Sequence, residues 1–194
     1  MQQSFDKKIN GIYAITPNEA VNFNLVEKVI IKYKVGIFQY RHKTNDEKIK
    51  YKEAKYLRKL CSTHNTLFII NDDINLAEKV SADGVHLGKN DGSISKAREV
   101  LGKKAIIGVS CYNDIKLAIE SQHNGANYIA FGALFDSTTK PNAQRCQLEI
   151  VTKAKKSLSI PIVGIGGVNF NNIQIAYKAG CSSVAMINAL FDKR

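Results

Sequence analysis

The feature that most restricts how this chain can fold is a rhythm. Eight short runs rich in β-branched and aromatic residues recur along it, each parted from the next by a stretch with helical spacing. The runs are GIYAIT (11–16), VGIFQYR (35–41), TLFIIN (66–71), GVHL (84–87), AIIGVS (105–110), YIAFG (128–132), PIVGIG (161–166) and SVAMI (183–187). Short runs that stay apolar at successive positions suit strands covered on both faces. Between them, Ile115, Ala118, Ile119 and Gln122 fall at helical intervals, as do Ile173, Ala176 and Ala179 and, in part, Leu148, Val151, Lys155 and Leu158. Gly125 and Gly180 stand where a helix C-cap needs positive φ, just ahead of a strand.

Strands that alternate with helices predict an all-parallel sheet, and eight is the number that closes such a sheet into a barrel. The expected fold class is therefore α/β, a compact single-domain (β/α)8 TIM barrel over residues 1–194. An open doubly wound sheet is the alternative, but no GxGxxG follows the first run and no acidic residue stands about 20 positions on. Only NALFDKR follows the eighth run, so the last helix is expected to be short or missing.

Composition narrows the classes of function. The formal net charge is +11, which could suit nucleic acid or an anionic membrane, yet the lysines are scattered over predicted helix surfaces without aromatic interleaving. A solvated basic exterior is the simpler reading, and neither nucleic acid nor membrane is expected as a partner. The N-terminus MQQSFDKKIN lacks an apolar core behind its charges, and no later segment reaches the roughly 18 apolar residues of a membrane span. Cys61, Cys111, Cys146 and Cys181 form no CxxC pair. The expectation is a cytoplasmic protein with reduced thiols that acts on small molecules, with a homo-oligomer left open.

Barrel enzymes gather their chemistry at the C-terminal ends of the strands. Along VGIFQYRHK, alternation puts Gln39, Arg41 and Lys43 on one face and Phe38, Tyr40 and His42 on the other. Cations withdrawn from water cost several kcal/mol unless an anion meets them, so Arg41 and Lys43, with Lys140 across the mouth, point to phosphate or pyrophosphate. The competing reading pairs Arg41 with Asp72 or Asp91 as a structural ion pair. IINDD (69–73) and HLGKND (86–91) end adjacent strands in carboxylates, and Asp72 and Asp91 facing a polyphosphate suit Mg²⁺. Helix capping is the competing role, and for Asp73 capping or solvent exposure is preferred. Gly166 and Gly167 let backbone N–H groups approach a phosphate, or make an ordinary tight turn. His86, between Val85 and Leu87, reads as a core residue, and no arrangement for covalent catalysis is visible.

Taken together, QYRHK, IINDD, HLGKND, GVS (108–110), LFDSTTKP (134–141) and GIGG (164–167), in this order and over nearly the whole chain, resemble the thiamine phosphate synthase family. The resemblance implies a (β/α)8 barrel that joins hydroxymethylpyrimidine diphosphate to a thiazole monophosphate with Mg²⁺, releasing pyrophosphate by a dissociative substitution. It implies that QYRHK (Gln39, Tyr40, Arg41, His42, Lys43), Asn71 and Lys140 hold the pyrimidine diphosphate, with Ser110 beside the ring. Asp72 and Asp91 would bind the metal, while Arg41, Lys43 and Lys140 would help the leaving group depart. Ser137, Thr138, Thr139, Gly167, Ile187 and Asn188 would hold the thiazole phosphate. The chain departs from the family pattern at His42, usually acidic, at Lys89, often Gln, at Asp136-Ser137, where Pro-Thr is usual, and at Asn188, usually Ser. Two rivals share the barrel. One is a thiazole tautomerase-like relative, expected to carry a His shortly after the fifth strand where Tyr112 stands; the other is a non-catalytic phosphate binder.

Overall fold

The computed structural model describes residues 9–136 and 144–191. Among the described residues, eight parallel strands alternate with eight helices in chain order. They are β1 (Gly11–Ile15), α1 (Phe23–Tyr33), β2 (Ile37–Tyr40), α2 (Glu47–Thr63), β3 (Leu67–Asn71), α3 (Ile74–Lys79), β4 (Gly84–Leu87) and α4 (Ile94–Leu101). The second half continues with β5 (Ile106–Tyr112), α5 (Ile115–His123), β6 (Tyr128–Phe131), α6 (Leu148–Ser157), β7 (Ile162–Ile165), α7 (Ile173–Ala179), β8 (Ser183–Met186) and α8 (Asn188–Phe191). Each strand pairs with its sequence neighbours, and β1 pairs with β8 from Gly11 opposite Ser183 to Ala14 opposite Met186, which closes the barrel. The expected short last helix is α8, a single four-residue turn.

Local sequence explains where the helices begin. Asn22, Asp46, Asp73, Ser93 and Asp114 each occupy an N-cap with extended backbone and accept from an N–H of the first turn. Such caps typically contribute about 1 kcal/mol each. Asp73 is thus a capping residue, as expected, and Ser93 rather than Asp91 caps α4. Gly180 ends α7 at φ +118, the conformation its position in KAGCSS predicts.

Period-two alternation divides the hydrophobic residues into two layers. Phe38, Phe68, Ile70, Val85, Leu87, Ile129 and Phe131 point outward against the helices. Ile9, Tyr13, Ile37, Leu67, Ile69, Ile106, Tyr128 and Val163 fill the barrel axis. Interior space is tight. A Cβ on Gly84 would lie 1.8 Å from the Ile106 carbonyl oxygen, and one on Gly108 would lie 2.0 Å from Tyr128 Cζ. Gly108 is therefore the space that the Tyr128 ring needs.

The outward face of β2 carries polar groups too. Tyr40 Oη donates to Glu53 Oε2 at 2.7 Å, His42 Nδ1 meets the same oxygen at 2.8 Å, and Val21 N–H donates to Glu53 Oε1 at 3.0 Å. Burial opposes ionisation of Glu53, but these three partners more than offset it and hold its carboxyl below the usual range. One α2 side chain thereby ties the end of β2 to the loop that follows β1. The four cysteines are buried and unpaired, and burial pushes the thiols of Cys61, Cys111 and Cys181 up to about 12, so they stay protonated. Among the described residues no helix is long and apolar enough to cross a membrane.

Adding one methyl at Gly84 forces β4 from β5, because the atom it meets is backbone. Gly84→Ala is expected to cost about 1–3 kcal/mol, read as a lower thermal midpoint; an unchanged midpoint would show that the strands can part without cost.

Candidate active site

A cavity of about 1110 Å³ opens at the C-terminal ends of the strands. Its lining includes Gln39, Arg41, Asn71, Ser110, Gly167, Ile187 and Asn188, so seven of the residues singled out from sequence converge on one space. They come from β2 and the residue that follows it, from β3 and β5, and from the segments after β7 and β8. The agreement follows from parallel topology: residues that end successive strands must meet at one rim.

Backbone contacts fix the cationic segment. Thr16, 1% exposed, accepts from Arg41 N–H at 2.7 Å through its hydroxyl oxygen and donates to the Arg41 carbonyl at 2.9 Å. Lys43 N–H donates to Asn18 Oδ1 at 2.6 Å. The loop after β1 thus holds the path of QYRHK, leaving the Arg41 side chain to the cavity. No ion pair among the described residues involves Arg41 or Lys43. The structural pairing of Arg41 with Asp72 or Asp91 therefore does not occur among them.

Two carboxylates meet beside this cavity. Asp72, at φ +66 just past β3, has Asp91 as a hydrogen-bonding and charged neighbour. Burial first, and then Asp91, push its carboxyl up to about 6, against the opposing influence of Lys43 and the Asn71 side chain. Asp91 Oδ2 in turn accepts from Gly88 N–H at 2.9 Å, and a Cβ on Gly88 would come within 2.6 Å of that oxygen. Two carboxyl groups that share one place and resist joint ionisation fit a hard divalent cation, which would relieve their repulsion. No group of three or more His, Cys, Asp or Glu side chains suited to a metal occurs among the described residues. Phosphate oxygens and water would have to complete the shell, as is usual for Mg²⁺.

Not every expected residue arrives. Tyr40 and His42 turn from the cavity to Glu53, so their side chains do not join the proposed diphosphate group; the alternation of β2 places them behind it. Ser137, Thr138, Thr139 and Lys140 lie outside the described residues. Gly166 and Gly167 take φ of +93 and +65, and a Cβ on Gly167 would meet the Asp136 carbonyl oxygen at 2.2 Å. That pair is required by close backbone packing as well as by any anion.

His86 was expected in the core, and it is 8% exposed, but it lines the cavity and points into the barrel axis. Its ring contacts Tyr128 Oη at 3.0 Å and Ser110 Oγ at 2.8 Å. Burial lowers its pKa to about 4, so it is neutral. Tyr13 also lines the cavity, and Tyr128 lies behind it with its hydroxyl against Tyr13 and His86; sequence reading missed both. The signal was available in the alternation: Tyr13 shares the face of Ile15, and His86 the face of Gly84.

Comparison with known proteins agrees with this architecture. The family model described as "Thiamine monophosphate synthase" matches residues 12–190. A thiamine-phosphate synthase of Azoarcus sp. (strain BH72) is 42% identical over 187 residues, covering 95% of this chain and 91% of the relative. One from Nitrosococcus oceani is 43% identical over 189 residues, covering 96% and 87%. Among solved structures, thiamine phosphate pyrophosphorylase from Pyrococcus furiosus superposes with a TM-score of 0.86 at 31% identity, covering 95% of this chain and 88% of that one. By matched length, identity and fold together, this chain belongs to the thiamine monophosphate synthase family.

Proposed function

We propose that the chain is a transferase of thiamine biosynthesis that condenses hydroxymethylpyrimidine diphosphate with hydroxyethylthiazole phosphate, giving thiamine monophosphate and pyrophosphate. The observation that carries this reading is the meeting of Arg41, without an ion-pair partner among the described residues, with Asn71, Ser110 and Gly167 in one cavity, beside the Asp72 and Asp91 carboxylates. A diphosphate needs cations, and a second phosphate needs a separate set of donors across the mouth. The cytoplasm is the expected setting, where four buried cysteines remain thiols.

Arg41 and Lys43 offset the negative charge that gathers on the departing pyrophosphate, and Lys140 is assigned the same task from the loop after β6. Asn71 orients Asp72 while facing the cavity. Gly167, Ile187 and Asn188, with Ser137, Thr138 and Thr139, are assigned to the thiazole phosphate, whose glycine lets backbone approach the anion. Mg²⁺ held by Asp72 and Asp91 would supply Lewis-acid stabilisation of the pyrophosphate oxygens. No side chain need act as nucleophile. The residues hold two substrates in line and keep water from a reactive carbon.

Purified protein with both substrates and Mg²⁺ is expected to release thiamine monophosphate and pyrophosphate in equal amounts. Arg41→Ala and Asp91→Ala should each lower turnover by about 100-fold or more. Absence of product from the unmodified protein would remove the synthase reading, and thiazole isomerisation in its place would favour the tautomerase-like alternative.

Because His42 faces Glu53, His42→Gln is expected to keep turnover within about threefold of the parent, far from the loss at Arg41. His42→Asp should instead lower the thermal midpoint, since it sets a second carboxylate against Glu53. A His42→Gln loss equal to that of Arg41→Ala would place His42 in the site after all.

The raised carboxyl of Asp72 gives a test that does not depend on turnover. In metal-free protein the folded state keeps a proton up to about pH 6 that the unfolded chain releases near 3.8. The stability this proton confers is complete below the lower value and is lost as pH rises through the upper one. Mg²⁺ replaces that proton, so it should raise the thermal midpoint more at pH 8 than at pH 5. An equal shift at both, or none, would place the cation elsewhere.

A further inference from the structure

The floor of the cavity carries a run of polar side chains that phosphate and metal binding leave unused. Gln39 Nε2 donates to Tyr13 Oη at 2.6 Å, and Tyr13 Oη lies 2.8 Å from Tyr128 Oη. Tyr128 Oη lies 3.0 Å from His86 Nδ1, and His86 Nε2 lies 2.8 Å from Ser110 Oγ. These residues come from β2, β1, β6, β4 and β5, so the run crosses the barrel through five strands. Tyr128 is 0% exposed, Tyr13 1%, Gln39 3% and His86 8%, which leaves water little room to replace any link.

Each tyrosine has one proton to give and is buried, so with the Gln39 amide in place only one direction gives every hydroxyl proton of the run an acceptor. The amide nitrogen of Gln39 can only donate, which makes Tyr13 Oη an acceptor there and sends its own proton to Tyr128. The buried Tyr128 proton then finds its acceptor in His86 Nδ1, which leaves the ring proton on Nε2 to be received by Ser110 Oγ. Burial keeps the carriers neutral: it raises the pKa of both tyrosines and lowers that of His86. The two ends are thereby coupled. Gln39 keeps its carbonyl oxygen, an acceptor, and Ser110 keeps its hydroxyl proton, a donor. Turning the Gln39 amide over would reverse every link and exchange those roles.

We propose that Tyr13, Tyr128 and His86 are positioning residues whose one-way hydrogen-bond chain fixes Gln39 as an acceptor and Ser110 as a donor toward the cavity, and so selects a neutral heteroaromatic ring bearing a donor next to an acceptor. An aminopyrimidine is such a ring, with its exocyclic amine and a ring nitrogen; this assignment of the ligand rests on the synthase reading. The chain also lowers Gln39 in the site. Gln39 lies at the floor under the ring, whereas Arg41, two residues on, is left to meet the diphosphate.

The test uses the full chain labelled with ¹⁵N-histidine. The ring nitrogens of His86 should report a single tautomer protonated on Nε2, and Tyr128→Phe should abolish that preference. In the same variant the KM for the pyrimidine diphosphate should rise by about tenfold while that for the thiazole phosphate stays unchanged. Its discrimination against a pyrimidine diphosphate lacking the ring amine should fall by a similar factor. Tyr13→Phe, which frees the Gln39 amide and removes the link that sets the direction, should raise the same KM and weaken the preference of His86 for one tautomer. A proton on Nδ1 in the unmodified protein would overturn the direction, and variants that leave the KM and the discrimination unchanged would overturn the positioning role. Should the unmodified protein make no thiamine monophosphate, the synthase reading and the ligand assignment fail, while the His86 tautomer still decides the chain.

Discussion

Closure of the sheet is the constraint on which the rest of this structure depends. Once β1 pairs with β8, every strand has a paired neighbour on both sides and no strand is left as an edge. Closure also sets the fate of each side chain. With helices outside and a packed axis inside, a residue in the middle of a strand is buried whichever way it points, so polar groups there must find partners. Two of them do so in opposite directions from adjacent positions on β2: Gln39 bonds inward to Tyr13 and Tyr40 outward to Glu53.

The same constraint explains why charge gathers at one end. Inside the barrel an unpaired guanidinium would cost several kcal/mol, and Arg41 avoids that by following the last residue of β2, where the axis opens into the cavity. Thr16 and Asn18 restrain its backbone and that of Lys43, so the main chain holds the cationic segment in place, and no ion pair among the described residues engages either cation. Asp72 and Asp91 are kept together despite their repulsion, one by a left-handed backbone and one by Gly88 N–H.

Much of this was legible in the residues. The eight runs match the eight strands to within about two residues at most ends, since period, β-branching and glycine punctuation act locally. Asp73 as a cap, Gly180 as a helix terminator and the opposite faces of Arg41 and His42 follow from local geometry too. β5 is the exception in length. It runs on to Tyr112 through a register shift between Ser110 and Tyr112, which no local signal in GVSCYND marks.

What sequence alone determined, then, is the order of elements, the face of each strand residue and the set of polar side chains that would end the strands, because all three depend on neighbours only a few positions away. What tertiary structure decided is which of those groups touch. Tyr13 and Tyr128 are 115 residues apart and share a hydrogen bond; His86 and Ser110 are 24 apart and share another. Glu53 comes from the middle of a helix to meet Tyr40 and His42. Contacts of that kind exist only after closure brings distant strands around one axis, and the direction of a hydrogen-bond chain has no meaning until all its members are in place.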